Sequence, residues 1–279
     1  MPTIRVVTDS ACDLPDGLLT VLGVGMVPLR VRFGDEELVD REELSTKEFW
    51  ARNATGGALP ETSAPSPGAF CQAFERMAGE GATGVVCVTL SSRLSATIQA
   101  ARQAASESGD DLPVRVVDSR SATMGEGLVV VEAAERAAAG ADLEEVAAVA
   151  ERSASELKVF GVIDTLENLR RGGRIGGAAA MLGSILAIKP VIEVRDGAVE
   201  EESKQRTRAK SLRYLAAKVR AVGPLRRLAV FGADAPDFDV LLDLLADVTP
   251  THPRLVGDIG PVIGTHTGPG AVGAAWLAE

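Results

Sequence analysis

The sequence is poor in aromatic residues and in positive charge. Aromatic side chains make up 4% of the 279 residues, and 29 lysines and arginines stand against 39 aspartates and glutamates, so the net charge is −10. Proteins that bind nucleic acids need a basic face, and those that bind single strands also use aromatic stacking platforms. The composition therefore excludes the usual nucleic-acid-binding classes, and we expect no nucleic-acid partner.

The chain also lacks long apolar runs, paired cysteines and clustered histidines. No run approaches the roughly 18 apolar residues of a membrane span, and no apolar leader opens the chain. Cys12, Cys71 and Cys87 are odd in number and far apart, so we expect reduced thiols and a cytoplasmic protein. His252 and His266 lie in separate Pro/Gly-rich segments, which we interpret as loops, without neighbours at ligand spacing. We therefore expect no metal and no other cofactor.

Composition and periodicity predict a two-domain α/β protein. Hydrophobic side chains make up 46% of the chain, enough to bury the cores of two domains of about 100 to 150 residues each. Buried strands alternate with helices through the first half, which predicts a doubly wound parallel sheet. We expect an N-terminal α/β domain over residues 1–157 and a second α/β domain over residues 158–279.

Residues 84–105 contain a strand, a turn rich in hydroxyl groups, and a helix. The run from Val85 to Leu90 is typical of a buried parallel strand. The helix that follows begins with unpaired N–H groups that carry partial positive charge. Ser92 or Ser95 alone would suffice to cap it. The surplus of hydroxyl groups favours an anion-binding turn instead; its members are Ser91, Ser92, Ser95 and Thr97.

Two other segments offer polar groups ahead of a helix. Thr8, Asp9 and Ser10 follow the first strand, where they form either part of a ligand site or an Asx turn. Residues 53–69 form a proline-stiffened extended loop before a helix near Pro67. This loop either presents Thr62, Ser63 and Ser66 to a ligand or is a passive connector with Ser66 as N-cap.

Two clusters of cations lie in the second half. Residues 166–190 place three arginines beside four glycines, which indicates an anionic partner, and continue into an apolar tract from Ala178 to Ile188. The tract is either a core helix or the wall of an apolar cavity. Residues 204–213 carry five cations, either as a solvated helix face or as a docking patch. The arginines of the first cluster are Arg170, Arg171 and Arg174.

Six segments, in order, resemble the DegV family, the bacterial fatty-acid-binding proteins called FakB. They are VTDSACDLP, ETSAPSP, TLSSRLSATIQAA, VVDSRSATMGEG, LENLRRGGRIGG with ILAIKP, and GTHTGPGAVG, and together they span essentially the whole chain. The resemblance implies a two-domain α/β fold, with a parallel-sheet N-terminal domain, a second α/β domain and the ligand between them. It also implies that the protein binds a long-chain fatty acid such as palmitate and buries its acyl chain.

The same resemblance implies a partner and a division of labour. The carboxylate would be presented to a FakA-like fatty acid kinase of the DhaK/DhaL type, which forms an acyl phosphate for phospholipid synthesis. The protein itself would be the lipid-binding subunit and not an enzyme, with transient contact to a membrane surface.

The family's pattern also assigns roles to individual residues. Thr62 and Ser95 would hydrogen-bond the carboxylate, while Arg170 and His266 match positions near the head group and the kinase-facing surface. Ser63 and Ser92 would support them. The chain departs from the pattern at Ala96, Ile98 and Gly176. Ala96 and Ile98 are expected to alter the pocket wall and not the head-group contacts, so the pattern does not specify which acyl chain is preferred.

A serine hydrolase acting on acyl esters is the alternative from another class. Ser95 would be its nucleophile, His266 its base, and Asp118 or Asp9 the carboxylate that orients the imidazole. The chain contains no GxSxG nucleophile motif, which argues against this alternative.

Overall fold

The computed structural model describes residues 3–56, 59–109, 111–182 and 188–279. Within these ranges, short 3-10 helices cover Ser10–Cys12 and Gly176–Met181. The strands are β1 (Ile4–Asp9), β2 (Gly25–Val27), β3 (Arg30–Phe33), β4 (Glu36–Val39), β5 (Glu61–Ser63), β6 (Gly84–Thr89), β7 (Val114–Asp118), β8 (Lys158–Val162), β9 (Lys189–Arg195), β10 (Ala198–Gln205), β11 (Leu225–Gly232), β12 (Leu255–Asp258) and β13 (Val272–Ala278). The α-helices are α1 (Asp16–Leu22), α2 (Thr46–Ala54), α3 (Pro67–Gly79), α4 (Thr97–Glu107), α5 (Met124–Ala138), α6 (Leu143–Glu156), α7 (Glu167–Arg171), α8 (Arg208–Arg220), α9 (Phe238–Leu244) and α10 (Pro261–Thr267).

The first half of the chain builds a parallel sheet, as predicted. Its strand order is β2-β1-β6-β7, and every neighbouring pair is parallel. All six residues of β6 are buried because helices cover both faces: α3 and α4 on one side, α5 and α6 on the other. The carboxyl ends of β1 and β6 therefore lie side by side, and the turns that follow them meet at one edge of the sheet.

The alternation of apolar and basic residues from Met26 to Phe33 predicts one strand of an edge hairpin that turns at Gly34-Asp35 and returns through Leu38-Val39. The hairpin is confirmed by the antiparallel pairing of β3 with β4, but the prediction that its first strand begins at Met26 is wrong. This run divides into β2, which joins the parallel sheet, and β3, which lies in a separate antiparallel sheet of order β4-β3-β5. Pro28 lies at the division, where its missing N–H cannot serve either ladder. The small sheet holds the part of the predicted loop that contains Thr62, because β5 pairs with β3.

The second half forms a six-stranded mixed sheet of order β10-β9-β8-β13-β11-β12, in which only β11 and β12 are parallel among the described strands. Helices α8 and α9 cover its outer face around a core that includes Leu212, Leu215 and Trp276. The Asp196-Gly197 pair between two apolar runs predicts a hairpin turn, and the antiparallel pairing of β9 with β10 confirms it.

The interpretation of the segment around His266 as a loop is wrong. The chain forms α10 there, with Pro261 in its first turn, where a proline is favourable. The glycine-rich stretch after it leads into β13, which lies inside the sheet between β8 and β11. Small residues suit that position because a side chain at Gly273 would come within 2.2 Å of the Phe231 ring.

Helix α5 lies between the two sheets and contacts both, reaching β1 and β6 on one side and β11 and β13 on the other. A continuous apolar core around it includes Leu128, Val159 and Phe231. Gly127 permits the close approach of α5 to the turn after β1, since a Cβ there would lie 2.8 Å from the carbonyl oxygen of Cys12. The two halves therefore share one core. None of the described helices combines the length and apolar character needed to cross a bilayer.

Four buried carboxyl groups lie close to one another at the turn after β1. Asp9 accepts hydrogen bonds from the backbone N–H groups of Ala11 and Leu90, which supports the Asx-turn interpretation. Burial raises the pKa of Asp9 and of Asp13 to about 7, that of Asp40 to about 6, and that of Glu126 well above its usual value. The Arg41 guanidinium lowers each of these pKa values without reversing the effect of burial.

We expect the free energy of unfolding to fall as pH rises from about 6.5 to about 8, because in that range the folded state must release protons that the unfolded chain has already lost. Glu126→Gln removes one of these titrating groups and should make the free energy of unfolding depend less steeply on pH. Glu151→Gln, at an exposed position, should leave this pH dependence unchanged. Urea unfolding at several pH values measures the slope. A wild-type stability that rises over this interval would contradict the assignment of raised pKa values.

Candidate functional site

An apolar cavity lies where the two halves meet. It encloses about 1060 Å³ including its mouth, which is at the upper end of the usual range for small-molecule sites. Both halves contribute to its wall. The apolar lining includes Leu29, Leu90 and Leu94 from the first half, and Phe160, Ile192 and Phe231 from the second.

Few polar side chains line this cavity. Two of them form a direct contact: Thr62 Oγ1 and His266 Nε2 lie 2.9 Å apart. Ser95 also lines the wall, so the structure brings together three of the residues singled out in the sequence. The remaining polar residues of the lining are Thr123, Arg174 and Thr267. A ligand held here would be mostly apolar, with one polar group.

The position of His266 depends on contacts between the two halves. Its helix, α10, is preceded by the N-cap residue Gly260, whose N–H donates to Asp13 Oδ1 at 3.0 Å. Farther along, Gly264 lies so close to the Trp50 ring that an added Cβ would be 2.7 Å from it. Residues of the first half therefore hold both the start and the middle of the helix that carries the imidazole.

His266 is neutral at physiological pH. Burial, assisted by the nearby Arg174 guanidinium, lowers its pKa to about 4. A neutral imidazole carries one N–H, and when that proton is on Nε2 it donates to Thr62 Oγ1. The Thr62 hydroxyl proton is then free to donate to a ligand in the cavity. Thr62 and His266 can thus offer a hydrogen-bond donor to a ligand in the cavity while the imidazole carries no charge.

Ser95 accepts a hydrogen bond at the start of a helix and also lines the cavity, while its role as a ligand-binding residue stays a prediction. Helix α4 begins at Thr97, whose N–H donates to Ser95 Oγ at 3.3 Å, and the two hydroxyl oxygens lie 2.9 Å apart. The serine therefore satisfies one of the first helical N–H groups while it lines the cavity. Ser91, by contrast, is buried and donates to the carbonyl oxygen of Gly197, which ties the turn to the β9–β10 hairpin.

Three other predicted residues do not line the cavity. Ser63 is exposed with its hydroxyl 3.4 Å from Glu37, and Ser92 is also exposed. Arg170 is exposed and pairs with Glu167. The geometry therefore does not favour direct contact between these three side chains and a ligand in the cavity. The supporting or kinase-facing role inferred for these three residues stays a prediction.

Arg174 lines the cavity, although its sequence context indicated no individual role for it. Its guanidinium donates to the carbonyl oxygens of Leu94 and Gly172 at 3.0 and 2.7 Å, so it links the turn before α4 to the glycine turn after α7. Among the described residues it has no carboxylate partner. The sequence feature that could have identified Arg174 is its position beside the Gly172-Gly173 pair. The sequence does not indicate, however, which of the three arginines faces the cavity.

The apolar tract and the 204–213 cluster, both singled out in the sequence, have different places in the structure. In the apolar tract, Ala178 and Met181 are buried in the shared core, while residues 183–187 lie outside the described residues. In the 204–213 cluster, Arg208 binds the Asp237 carboxylate and the Gly270 carbonyl oxygen, so it stabilises the fold. The exposed cations of the cluster are Lys204, which pairs with Glu201, and Arg206, Lys210 and Arg213.

The groups of the alternative serine hydrolase do not form a triad. His266 Nε2 contacts Thr62, Ser95 Oγ contacts Thr97, and the Nδ1 atom of His266 has no hydrogen-bond partner within the described ranges. The two candidate orienting carboxylates, Asp9 and Asp118, accept backbone N–H groups instead. No group of three or more potential metal ligands was found in the described part of the chain.

The fold and the sequence are similar to those of known proteins over their whole length. A family model described as "Uncharacterised protein, DegV family" matches residues 3–279. A DegV domain-containing protein of Streptomyces coelicolor is 40% identical over 274 residues, which cover 97% of this chain and 96% of that protein. A fatty-acid-binding DegV family protein from Thermus thermophilus has a TM-score of 0.91 at 37% identity, covering 99% of this chain and 100% of the other. DegV of Bacillus subtilis, a fatty acid binding protein, has a TM-score of 0.88 at 29% identity, with 100% of both chains covered.

Gly172→Ala tests how His266 is positioned. A Cβ at residue 172 would lie 2.3 Å from His266 Nδ1, so the imidazole must move and its contact with Thr62 is expected to break. We expect a stability loss of about 1–3 kcal/mol and a shift of the His266 imidazole resonances in NMR spectra, which contain only two histidines. Gly17→Ala, where an added Cβ has nothing within 4 Å, is the control. Unchanged His266 resonances in Gly172→Ala would contradict this geometry.

Proposed function

The chain belongs to the DegV family, and from that premise we propose that it binds a long-chain fatty acid in the cavity between its two halves. The observation that carries the proposal is an apolar cavity with hydroxyl and imidazole groups gathered in its wall. The fatty-acid-binding relatives from Thermus thermophilus and Bacillus subtilis share the whole fold and support the same ligand class.

The hydroxyl groups of Thr62 and Ser95 suit a carboxylate. Each can donate one hydrogen bond, and a bond to an ionised acceptor contributes about 1.5 to 3 kcal/mol. The neutral state of His266 matters because a protonated imidazole would attract any anion, whereas a neutral one orients the Thr62 hydroxyl. We therefore propose that these two hydroxyl groups fix the orientation of the head group.

The acyl chain supplies most of the affinity in this proposal. Burial of each methylene contributes about 0.8 kcal/mol, so a long chain contributes on the order of 10 kcal/mol before the costs of association. The cavity wall is built from leucine, isoleucine, valine and phenylalanine side chains, which match such a chain. Chain length and unsaturation would follow from the shape of this wall.

We propose further that the bound carboxylate is presented to a separate fatty acid kinase, which converts it to an acyl phosphate for phospholipid synthesis. In this scheme the protein performs no phosphoryl transfer and needs no cofactor. Exposed Arg170 and the outer cations of the 204–213 cluster are candidates for contact with the kinase. The proposal places the reaction in the cytoplasm, with transient contact to a membrane surface for exchange of the acid.

Thr62→Val and Ser95→Ala test the head-group assignment. Each substitution removes a hydroxyl donor and retains an apolar wall, so the double variant should bind palmitate about tenfold or more weakly. Its fold should be unchanged. Ser63→Ala, which removes the exposed hydroxyl next to Thr62, is the matched control and should bind like the wild type.

Displacement of a fluorescent fatty acid by palmitate measures these affinities, and circular dichroism checks the fold of each variant. A double variant that is folded and retains wild-type affinity would contradict the assignment of Thr62 and Ser95. A wild-type protein that binds no fatty acid of any length tested would contradict the proposed function itself.

A further inference from the structure

The turn after β1 holds the chain segments that carry the polar groups of the proposed site. Ser10 Oγ accepts the N–H of Leu29 at 3.1 Å, and the next residue begins β3, which pairs with the strand of Thr62. Asp13 accepts an N–H just before α10, the helix of His266. Two of the three polar side chains are therefore placed from this one turn. The three, which we call the head-group site, are Thr62, Ser95 and His266.

The third of these groups, the Ser95 hydroxyl, depends on Asp9. One Asp9 oxygen accepts the N–H of Leu90 at 2.9 Å, directly before the hydroxyl-rich turn. That turn then closes on itself, because the N–H of Ser95 donates to the carbonyl oxygen of Ser91 at 3.1 Å. The other Asp9 oxygen accepts the N–H of Ala11 at 3.0 Å. The Asp9 carboxylate is thus bonded both to the turn of Ser95 and to the turn that places the other two groups.

Glu126, a fully buried glutamate of α5, contacts Asp9. Glu126 Oε1 accepts the Thr8 hydroxyl at 3.0 Å, while Oε2 meets no N–H or O–H donor among the described residues. A buried carboxylate oxygen without a donor is costly, whereas a protonated carboxyl group can itself donate. The acceptor is Asp9, whose pKa is lowered by a hydrogen bond with the Glu126 side chain. Since both Asp9 oxygens already accept N–H groups, Asp9 is suited to carry the charge and Glu126 the proton.

We propose that Glu126 is a positioning residue for the head-group site: its protonated carboxyl group holds Asp9, and Asp9 holds the turn of Ser95. This inference rests on the proposed function, because the affinity that it concerns is that for the fatty acid. Loss of the proton would leave two adjacent buried carboxylates, so the pair would have to separate or admit water. The N–H of Leu90 would then lose its acceptor, and the head-group site would lose its fixed geometry.

The groups around Glu126 favour its protonated state. The Asp13 carboxyl raises the pKa of Glu126, and the Arg41 guanidinium lowers it without reversing the effect of burial. Arg41 is bonded elsewhere, to the Asp16 carboxylate and to two backbone carbonyl oxygens. Two nearby thiols stay protonated because burial raises the pKa of each. They are Cys12 of the turn after β1 and Cys87 of β6.

Three substitutions separate this role from a purely structural one. Glu126→Gln keeps a hydrogen-bond donor beside Asp9 but cannot ionise. Glu126→Leu keeps an apolar side chain of similar size and removes the donor. Glu132→Gln, in the same helix, weakens ion pairs with Arg226 and Arg227 of β11 and is the control for a general loosening of α5.

The experiment measures palmitate affinity by displacement of a fluorescent fatty acid, from about pH 7 to about pH 9, with circular dichroism as the check of folding. Wild-type affinity should fall by about threefold or more, since one titrating proton can change it by up to about tenfold per pH unit. Glu126→Gln should match the wild type at the lower pH and lose less than about twofold at the higher. Glu126→Leu should bind about threefold or more weakly already at the lower pH, as expected for one lost hydrogen bond to a charged group. Glu132→Gln should follow the wild-type profile.

The ratio of variant to wild-type affinity at each pH removes any titration of the ligand itself. A fall that Glu126→Gln abolishes, together with a loss in Glu126→Leu that Glu126→Gln does not share, supports the positioning role. Equal falls in the wild type and Glu126→Gln, no fall in the wild type, a folded Glu126→Leu with wild-type affinity, or a flat profile in Glu132→Gln would overturn it. If Glu126→Leu does not fold, the comparison with Glu126→Gln decides. A wild-type protein that binds no palmitate at any of these pH values would instead contradict the proposed function.

Discussion

The contact between Thr62 and His266 joins positions 204 residues apart in the chain, and the site depends on it. One partner lies in the small antiparallel sheet of the first half, and the other lies in the helix α10 of the second. Thr62 and His266 must both be in position for their polar groups to meet in the wall of the cavity. The carboxylate of Asp13 and the ring of Trp50 place α10 from the first half, so domain packing and head-group geometry are set by the same contacts.

Burial determines the electrostatics on both sides of this contact. It keeps His266 neutral, so that the imidazole orients a hydroxyl group without adding charge. It also raises the pKa of the carboxyl groups beneath the turn after β1, including Asp13, which accepts a hydrogen bond from the N–H of Gly260, the residue just before α10. Arg174 is the one cationic side chain in the described lining of the cavity, while the arginines of α7 are exposed and pair with Glu167. These charges are compatible with the proposed binding of a single anion at Thr62.

Local patterns predicted much of the fold. The buried run of β6, the turn after it and the alternation of strands and helices specify the parallel sheet of the first half. Helix α10 and strand β13 could not be predicted, because their glycines and alanines give no periodic signal and are required only by close packing against Trp50 and Phe231. Thr62 and Ser95 were identified through the family resemblance, and the structure places both in one cavity. The inward position of Arg174 follows from the glycine turn, which sequence spacing alone does not orient.

Native mass spectrometry of the freshly purified protein tests the central claim most directly. The protein is ionised intact, any bound molecule is released and identified, and the occupancy is read from the mass difference. The account predicts one long-chain fatty acid per chain, lost when the protein is unfolded. A protein that carries no lipid, and that takes up none when fatty acids of several lengths are added, would contradict it.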